Sequence, residues 1–115
     1  MLSEVIAGLS KTLELVRVLV ARGEVRVSTH GYDSLAEDSI HVRGAVDGLG
    51  AAVVVEDYPD YWKGPCVLVL ERDEHGRPIH VLWGIPAGHD SPAVLVTAYR
   101  PDPDEWDESW QRRRK

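Results

Sequence analysis

A histidine at a predicted helix start is the first group in this sequence that could do chemistry. Residues 28–41 read STHGYDSLAEDSIH, in which Ser28 and Thr29 come just before His30. A hydroxyl at that position accepts hydrogen bonds from the free backbone N–H groups of a helix start. The imidazole of His30 could transfer protons near neutral pH, or it could only hydrogen-bond the neighbouring backbone. The residue pattern leaves both interpretations open.

A second candidate is the aromatic segment 58–65, YPDYWKGP, which lies between two predicted strands. If the rings of Tyr61 and Trp62 are exposed, they could stack on the bases of an RNA substrate or anchor a protein partner. If they fold over the sheet, they close its open side instead. Tyr61 and Trp62 are therefore candidate substrate-binding residues.

No metal or other cofactor is expected. The single cysteine, Cys66, lies in the apolar run CVLVLE, and the five histidines have no tight ligand spacing, so the sequence predicts no zinc site. One buried thiol is typical of a protein of the reducing cytoplasm. The net charge of −6, from 13 basic and 19 acidic residues, has the wrong sign for a protein that neutralises many phosphates. Any RNA contact would therefore be local.

One domain over residues 1–115 is expected, and its helices come first. An apolar stripe predicts an amphipathic helix over about residues 2–22, ended by Gly23. Charged residues interrupt this segment, so neither a signal peptide nor a membrane span is predicted. Residues 24–28 alternate with period two, which favours an edge strand or an extended connector. Two short helices are predicted at about 30–37 and 42–49.

A four-stranded antiparallel sheet is predicted from residue 51 onward. Its strands are the runs AAVVVEDY, CVLVLERD, PIHVLWGI and AVLVTAYR. The connection DEHGR predicts a hairpin in which Leu70 lies opposite His80 and Gly76 takes a positive φ. Both faces of these strands are apolar, so both should be covered. Helices are expected to cover one face. The tail, a partner chain or a second copy is expected to cover the other. Trp106 and Trp110, four residues apart, predict a short C-terminal helix.

The order of these pieces resembles a known bacterial family. The S-x-H helix start, the strands V-V-E-D-Y-P and G-R-P-I-H-V, and T-A-Y-R-P-D followed by Trp106 are similar to the family called domain of unknown function 4258. The resemblance covers about residues 24–114. Because that family is similar to toxins of the RelE and BrnT type, it implies an α+β fold with N-terminal helices packed on a four-stranded antiparallel sheet.

The resemblance also implies an activity, that of a metal-independent endoribonuclease of a toxin–antitoxin system. It assigns catalytic roles to four positions, namely His30, Arg77, His80 and Tyr99. In such a mechanism the two histidines exchange protons, the arginine holds the phosphate and the tyrosine orients the substrate. Arg100 is a further candidate for substrate binding.

Two positions depart from the family pattern and favour an alternative. Arginines that are usual in the family correspond here to Ser34 and Asp38, so two cations that could bind phosphate are missing. A histidine in an apolar strand, such as His80, is also commonly a hydrogen-bonded core residue. The alternative is a non-catalytic protein-interaction module with a toxin-like fold, which binds an antitoxin protein or a second copy through its sheet face.

Overall fold

Five strands form one mixed sheet, and short helices cover one of its faces. The computed structural model describes residues 10–115. The helices are Lys11–Ala21 (α1), Thr29–Glu37 (α2) and Val42–Asp47 (α3), followed by a 3-10 turn over Gly48–Ala51. The strands are Val25–Val27 (β1), Val53–Tyr58 (β2), Cys66–Arg72 (β3), Pro78–Gly84 (β4) and Ala93–Tyr99 (β5). Their order across the sheet is β1-β5-β4-β3-β2, which gives an α+β fold.

The first helix ends where the sequence predicts. The hydroxyl of Ser10 accepts a hydrogen bond from the backbone N–H of Leu13 at 3.1 Å and caps the start of α1. Gly23, with φ of 78°, follows its end. The part of the predicted helix before residue 10 lies outside the described residues. Within residues 10–115, no helix is long and apolar enough to cross a membrane.

The prediction of four antiparallel strands is wrong, because β1 adds a fifth strand. β1 pairs with β5 in parallel, with Val25 opposite Ala93, while β2, β3, β4 and β5 pair antiparallel as expected. Since β1 lies between α1 and α2, the helices do not all precede the sheet. A three-residue strand gives only a weak local pattern, and its partner is distant in the chain.

The predicted hairpin between β3 and β4 is confirmed. Leu70 lies opposite His80, and the backbone N–H of Asp73 donates to the carbonyl of Arg77 at 2.9 Å. Gly76 has φ of 75°, a conformation that glycine adopts without strain. Local turn chemistry therefore sets the register of the two central strands.

The main core lies between the helices and one face of the sheet, here called the helical face. Its largest contributions come from Val16, Leu19, Leu35 and Leu49 on the helical side and from Val67, Val69, Ile79, Val81, Trp83 and Leu95 on the sheet. Because side chains alternate along a strand, the other face, here called the second face, carries Leu68, His80, Leu82, Val94 and Tyr99.

The predicted C-terminal helix is wrong, because the tail over residues 102–115 folds as turns. An isolated bridge joins Trp106 to Arg113. The Asp107 carboxylate accepts the backbone N–H of Ser109 at 3.0 Å, a local bond that competes with helix formation. Trp110 has φ of 62°, outside the helical region. The tail packs on the second face of the sheet.

Candidate functional site

His80, a predicted catalytic base, is sealed inside the protein. Its exposed fraction is 0%. The Tyr99 hydroxyl lies 3.1 Å from Nδ1, and the Trp110 carbonyl oxygen lies 2.6 Å from Nε2. Because a carbonyl oxygen only accepts, Nε2 carries the hydrogen and the Tyr99 hydroxyl donates to Nδ1 of the neutral ring. Both ring nitrogens are therefore bonded within the fold.

The surroundings of His80 favour its neutral form. Burial lowers the pKa of His80, and the nearby Arg113 lowers it further, while the Trp110 carbonyl and Glu56 oppose them in part. Burial also raises the pKa of the partner Tyr99. A neutral imidazole suits two structural hydrogen bonds, one from the protonated Tyr99 phenol on the neighbouring strand and one to the Trp110 carbonyl of the tail.

The tail blocks access to this pair. The Trp106 ring packs edge-on against the His80 ring with centroids 4.5 Å apart, and only 2% of Trp106 is exposed. The Arg113 guanidinium lies 4.6 Å from the centre of the Trp106 ring and 3.8 Å from a Glu56 carboxylate oxygen. A substrate could reach His80 only if this part of the tail moved away.

Arg100, a predicted substrate-binding residue, is held by two carboxylates. Its guanidinium pairs with the buried Asp73 at 3.0 Å, and its backbone N–H donates to the Asp38 carboxylate at 2.7 Å. Burial acts to raise the pKa of Asp73, but the backbone N–H groups of Arg77 and His75 and the charge of Arg100 lower it overall. Arg100 therefore fixes the end of β5 against α2.

The two departures from the family pattern have structural roles in the same region. Beyond the short β1, helix α2 lies along the free edge of β5. The Ser28 hydroxyl donates to the Val96 carbonyl at 3.1 Å, and the Ser34 hydroxyl accepts the Ala98 N–H at 3.1 Å. Together with Asp38, these groups pair the edge of β5, which would otherwise have unsatisfied backbone groups.

His30 and Arg77 lie at the surface with exposed side chains. Across residues 10–115, no hydrogen bond or ion pair connects either side chain to His80 or Tyr99. The structure thus brings together two of the four predicted catalytic residues, His80 and Tyr99. The proposed proton exchange between His30 and His80 has no geometric support, since His80 is enclosed.

An open groove of about 500 Å³ crosses the part of the second face that the tail leaves uncovered. Its floor follows one row of paired residues across all five strands, which are Arg26, Val94, Gly84, Cys66 and Tyr58. Gly84 has no side chain at the middle of this row. No side chain therefore covers the floor where the row crosses β4.

The remaining lining of the groove is mostly apolar. Leu82 and Val96 extend the floor, and Ile85 and Pro86 close one end. The segment 59–65 forms a wall that carries Tyr61. Tyr61 is 47% exposed and Trp62 is 75% exposed, so these rings do not close the open side of the sheet.

Backbone contacts fix the wall in place. The Pro65 carbonyl accepts the N–H of Ile85 at 3.0 Å, and the Lys63 carbonyl accepts the N–H of Ala87 at 3.0 Å. Between them lies Gly64, which has φ of 121°. A Cβ on Gly64 would overlap the carbonyl oxygen of Ile85, so only glycine fits this close backbone approach.

Replacing Gly64 by alanine is expected to lower the free energy of unfolding by about 1–3 kcal/mol, from backbone strain and displacement of the wall. Urea unfolding followed by circular dichroism measures the change. Gly50→Ala is the matched control, because a Cβ on Gly50 has no neighbour within 4 Å. Equal midpoints for the two variants would show that the wall is not held as described.

The charged groups that line the groove are cations. They are Arg26, on β1, and Lys63, on the opposite wall, and no aspartate or glutamate of the described chain lines it. Neither cation forms an ion pair with another described residue. The Lys63 ammonium lies 5.1 Å from the centre of the Trp62 ring. The groove thus has the opposite sign to the chain as a whole, which carries −6.

The Tyr58 hydroxyl and the Cys66 thiol of the groove are protonated near neutral pH. The Tyr58 hydroxyl donates to Glu56 at 2.6 Å, and this bond, followed by burial, raises the pKa of Tyr58 to about 12. Burial and the charge of Asp57 raise the pKa of Cys66, which makes its thiol a weak nucleophile. Among residues 10–115, no group of three or more His, Cys, Asp or Glu side chains could hold a metal ion.

Sequence reasoning did not identify Arg26, Lys63 or Gly84 as parts of a site. Two signals were available, the apolar character of both sheet faces and the aromatic segment 58–65. The groove forms only because that segment folds back along residues 85–87, a contact that no local pattern specifies.

The family model of the domain of unknown function DUF4258 matches residues 27–100, which is more than half of the chain. The match runs from the last residue of β1 to just past the end of β5, and it includes every residue of the groove-floor row except Arg26. No curated protein and no solved structure matches the chain. The chain therefore belongs to the DUF4258 family.

Proposed function

We propose that this protein is a non-catalytic protein-binding domain in which the groove receives an apolar segment of a partner protein. The observation that carries the proposal is the open apolar groove of about 500 Å³ flanked by exposed aromatic rings. Tyr58 and Tyr61 are 43% and 47% exposed, and Trp62 is 75% exposed. Aromatic side chains beside an apolar pocket are typical of the residues that dominate protein-protein binding energies.

The chemistry of the floor supports a protein ligand over RNA. Single-stranded RNA is commonly held by aromatic rings on which bases stack, together with a positively charged path for phosphates. Here the middle of the floor is aliphatic, with Leu82, Val94 and Val96, and the aromatic rings lie to one side of it, on the edge strand β2 and on the wall. Aliphatic side chains of a partner would bury well against such a floor.

The toxin-like ribonuclease activity, with a fold of the RelE or BrnT type, stays a prediction from the family resemblance. It requires His80 to exchange protons with RNA, and the bonds from His80 to Tyr99 and the Trp110 carbonyl oppose this. A direct test incubates the protein with fluorescently labelled single-stranded RNA. We expect the RNA to remain intact, and cleavage that His30→Ala abolishes would contradict the binding proposal.

Selection from a displayed peptide library tests the binding proposal. The wild-type protein is the only bait, and the selected peptides are then measured against Val96→Glu, which places a carboxylate on the groove floor. Val18→Glu is the matched control, because Val18 is a 45% exposed valine on α1, outside the groove. We expect the selected peptides to bind Val18→Glu like the wild type and Val96→Glu at least about ten times more weakly, the cost of burying an unpaired charge.

Gly84→Leu provides a second, uncharged block of the groove. A Cβ on Gly84 makes only ordinary contacts, 3.4 Å to Cys66 and 3.6 Å to Val96, so a larger side chain can extend into the groove. We expect this variant to fold and to lose peptide binding. Selected peptides that bind Gly84→Leu and Val96→Glu as tightly as the wild type would place the binding surface elsewhere.

A further inference from the structure

We infer that the groove recognises an extended peptide segment with two carboxylates, one on each side of an apolar side chain. This inference rests on the proposed function and adds the chemical class of the partner. It starts from the contrast in charge, since the chain carries −6 while the charged lining groups of the groove are the two cations Arg26 and Lys63.

Both cations are available to a ligand. Arg26 and Lys63 are exposed, and neither has an ion-pair partner within residues 10–115. Unpaired cations at the rim of an apolar groove attract an anionic partner and orient it. An uncharged apolar ligand would not form an ion pair with either cation.

The separation of the cations indicates a peptide. Arg26 is on the edge strand β1, and the Lys63 carbonyl is bonded to the backbone of Ala87, just after β4. Two to three strand spacings of about 4.8 Å place the two backbones about 10–14 Å apart. A ligand with two separated carboxylates could pair with both cations. In an extended chain, two residues four positions apart are separated by about 13 Å.

The alternation of side chains along an extended segment determines where the apolar residue lies between the two carboxylates. Residues at alternate positions point to the same side, so carboxylates at positions one and five would flank an apolar residue at position three. That central side chain would lie over Gly84, where the floor is open. The expected motif is therefore acidic, any, apolar, any, acidic.

Fluorescence anisotropy with a labelled nine-residue peptide tests the inference. Its third and seventh residues are aspartate, its fifth is leucine, and the others are glycine or serine. Matched peptides replace either aspartate or both by asparagine, or both by lysine. We expect each aspartate-to-asparagine change to weaken binding roughly two- to five-fold, as for exposed ion pairs, and the lysine peptide to bind most weakly. High salt should reduce these differences.

Charge reversal of the protein provides the converse test. Lys63→Glu should lose its preference for aspartate and bind the lysine peptide better than the wild type does. Lys11→Glu is the matched control, since Lys11 is an exposed lysine of α1 outside the groove. A peptide that binds Val96→Glu poorly yet does not distinguish aspartate from asparagine would overturn this inference and leave the proposed function standing. Absence of measurable binding by the aspartate peptide would also overturn it, whereas the proposed function is decided separately by the library selection.

Discussion

Replacing Glu71 by glutamine is expected to stabilise the protein at pH 8 by up to about 5 kcal/mol. Glu71 lies on the helical face of β3 and is 1% exposed. Its Oε2 accepts the indole N–H of Trp83 at 3.1 Å, and its Oε1 has no partner among the described residues. Burial raises the pKa of Glu71 from 4.5 to about 8, although Trp83 and the charge of Arg17 oppose the shift.

The sign of the pH dependence follows from this raised pKa. Below about pH 4.5, the carboxyl group is protonated in both the folded and the unfolded chain. As the pH rises from about 4.5 to about 8, the unfolded chain loses its proton first, so the folded state loses stability at about 1.4 kcal/mol per pH unit. Above pH 8 the loss is complete. Glutamine has the same shape and does not titrate, so the variant avoids this loss.

Urea unfolding of the wild type and Glu71→Gln at pH 4.5, 6 and 8 measures the difference. We expect the stability difference to grow with pH and to level off above pH 8. Glu37→Gln, at an exposed position of α2, is the control and should change stability by less than about 0.5 kcal/mol. A difference that does not depend on pH would show that the Glu71 carboxylate is charged in the folded protein.

The second large effect is expected from Trp106→Ala, with a loss of about 3–5 kcal/mol in the free energy of unfolding. Trp106 is 2% exposed and packs on His80, while Arg113 covers its other side. Its truncation leaves a large cavity between the tail and the sheet. Trp62→Ala is the matched control, because Trp62 is 75% exposed and its loss should cost less than about 1 kcal/mol.

Urea unfolding measures the free energy of unfolding of both variants, and amide hydrogen exchange measures how strongly the tail is protected. If the tail is held through Trp106, the backbone amides of residues 102–115 should exchange much faster in Trp106→Ala than in Trp62→Ala. Trp106→Leu retains part of the apolar contact, so its free energy of unfolding should lie between those of the wild type and Trp106→Ala. Equal stability for Trp106→Ala and Trp62→Ala would contradict the packing described for the tail.

Local chemistry in the sequence was sufficient for the central hairpin and for the start of α2. The DEHGR turn fixed Leu70 opposite His80, and the hydroxyl of Ser28 caps α2 by accepting the N–H of Gly31 at 2.9 Å. Both features depend on residues close in the chain, where turn and cap preferences act directly. The apolar character of both sheet faces also correctly required a cover on the second face.

Features that depend on distant contacts could not be predicted. The alternation of residues 24–28 predicted an edge strand or a connector but not its parallel pairing with β5, and Asp38 was interpreted as a lost cation although it holds the end of β5. The tail illustrates the same limit, since the spacing of Trp106 and Trp110 suits a helix while side-chain bonds such as that of Asp107 favour turns. Tertiary contacts override local propensity in each case.

The rate at which Cys66 reacts with a thiol reagent tests the central claim most directly. Cys66 is the single cysteine of the chain and lies on the groove floor. At about ten times Kd of a selected peptide, about one molecule in eleven remains unbound. The account predicts that the reaction at pH 8.5 slows about ten-fold in the wild type and in Val18→Glu, and at most about two-fold in Val96→Glu, because that variant binds the peptide at least about ten times more weakly. An unchanged rate in the wild type under saturating peptide would contradict the claim that the groove is the binding site.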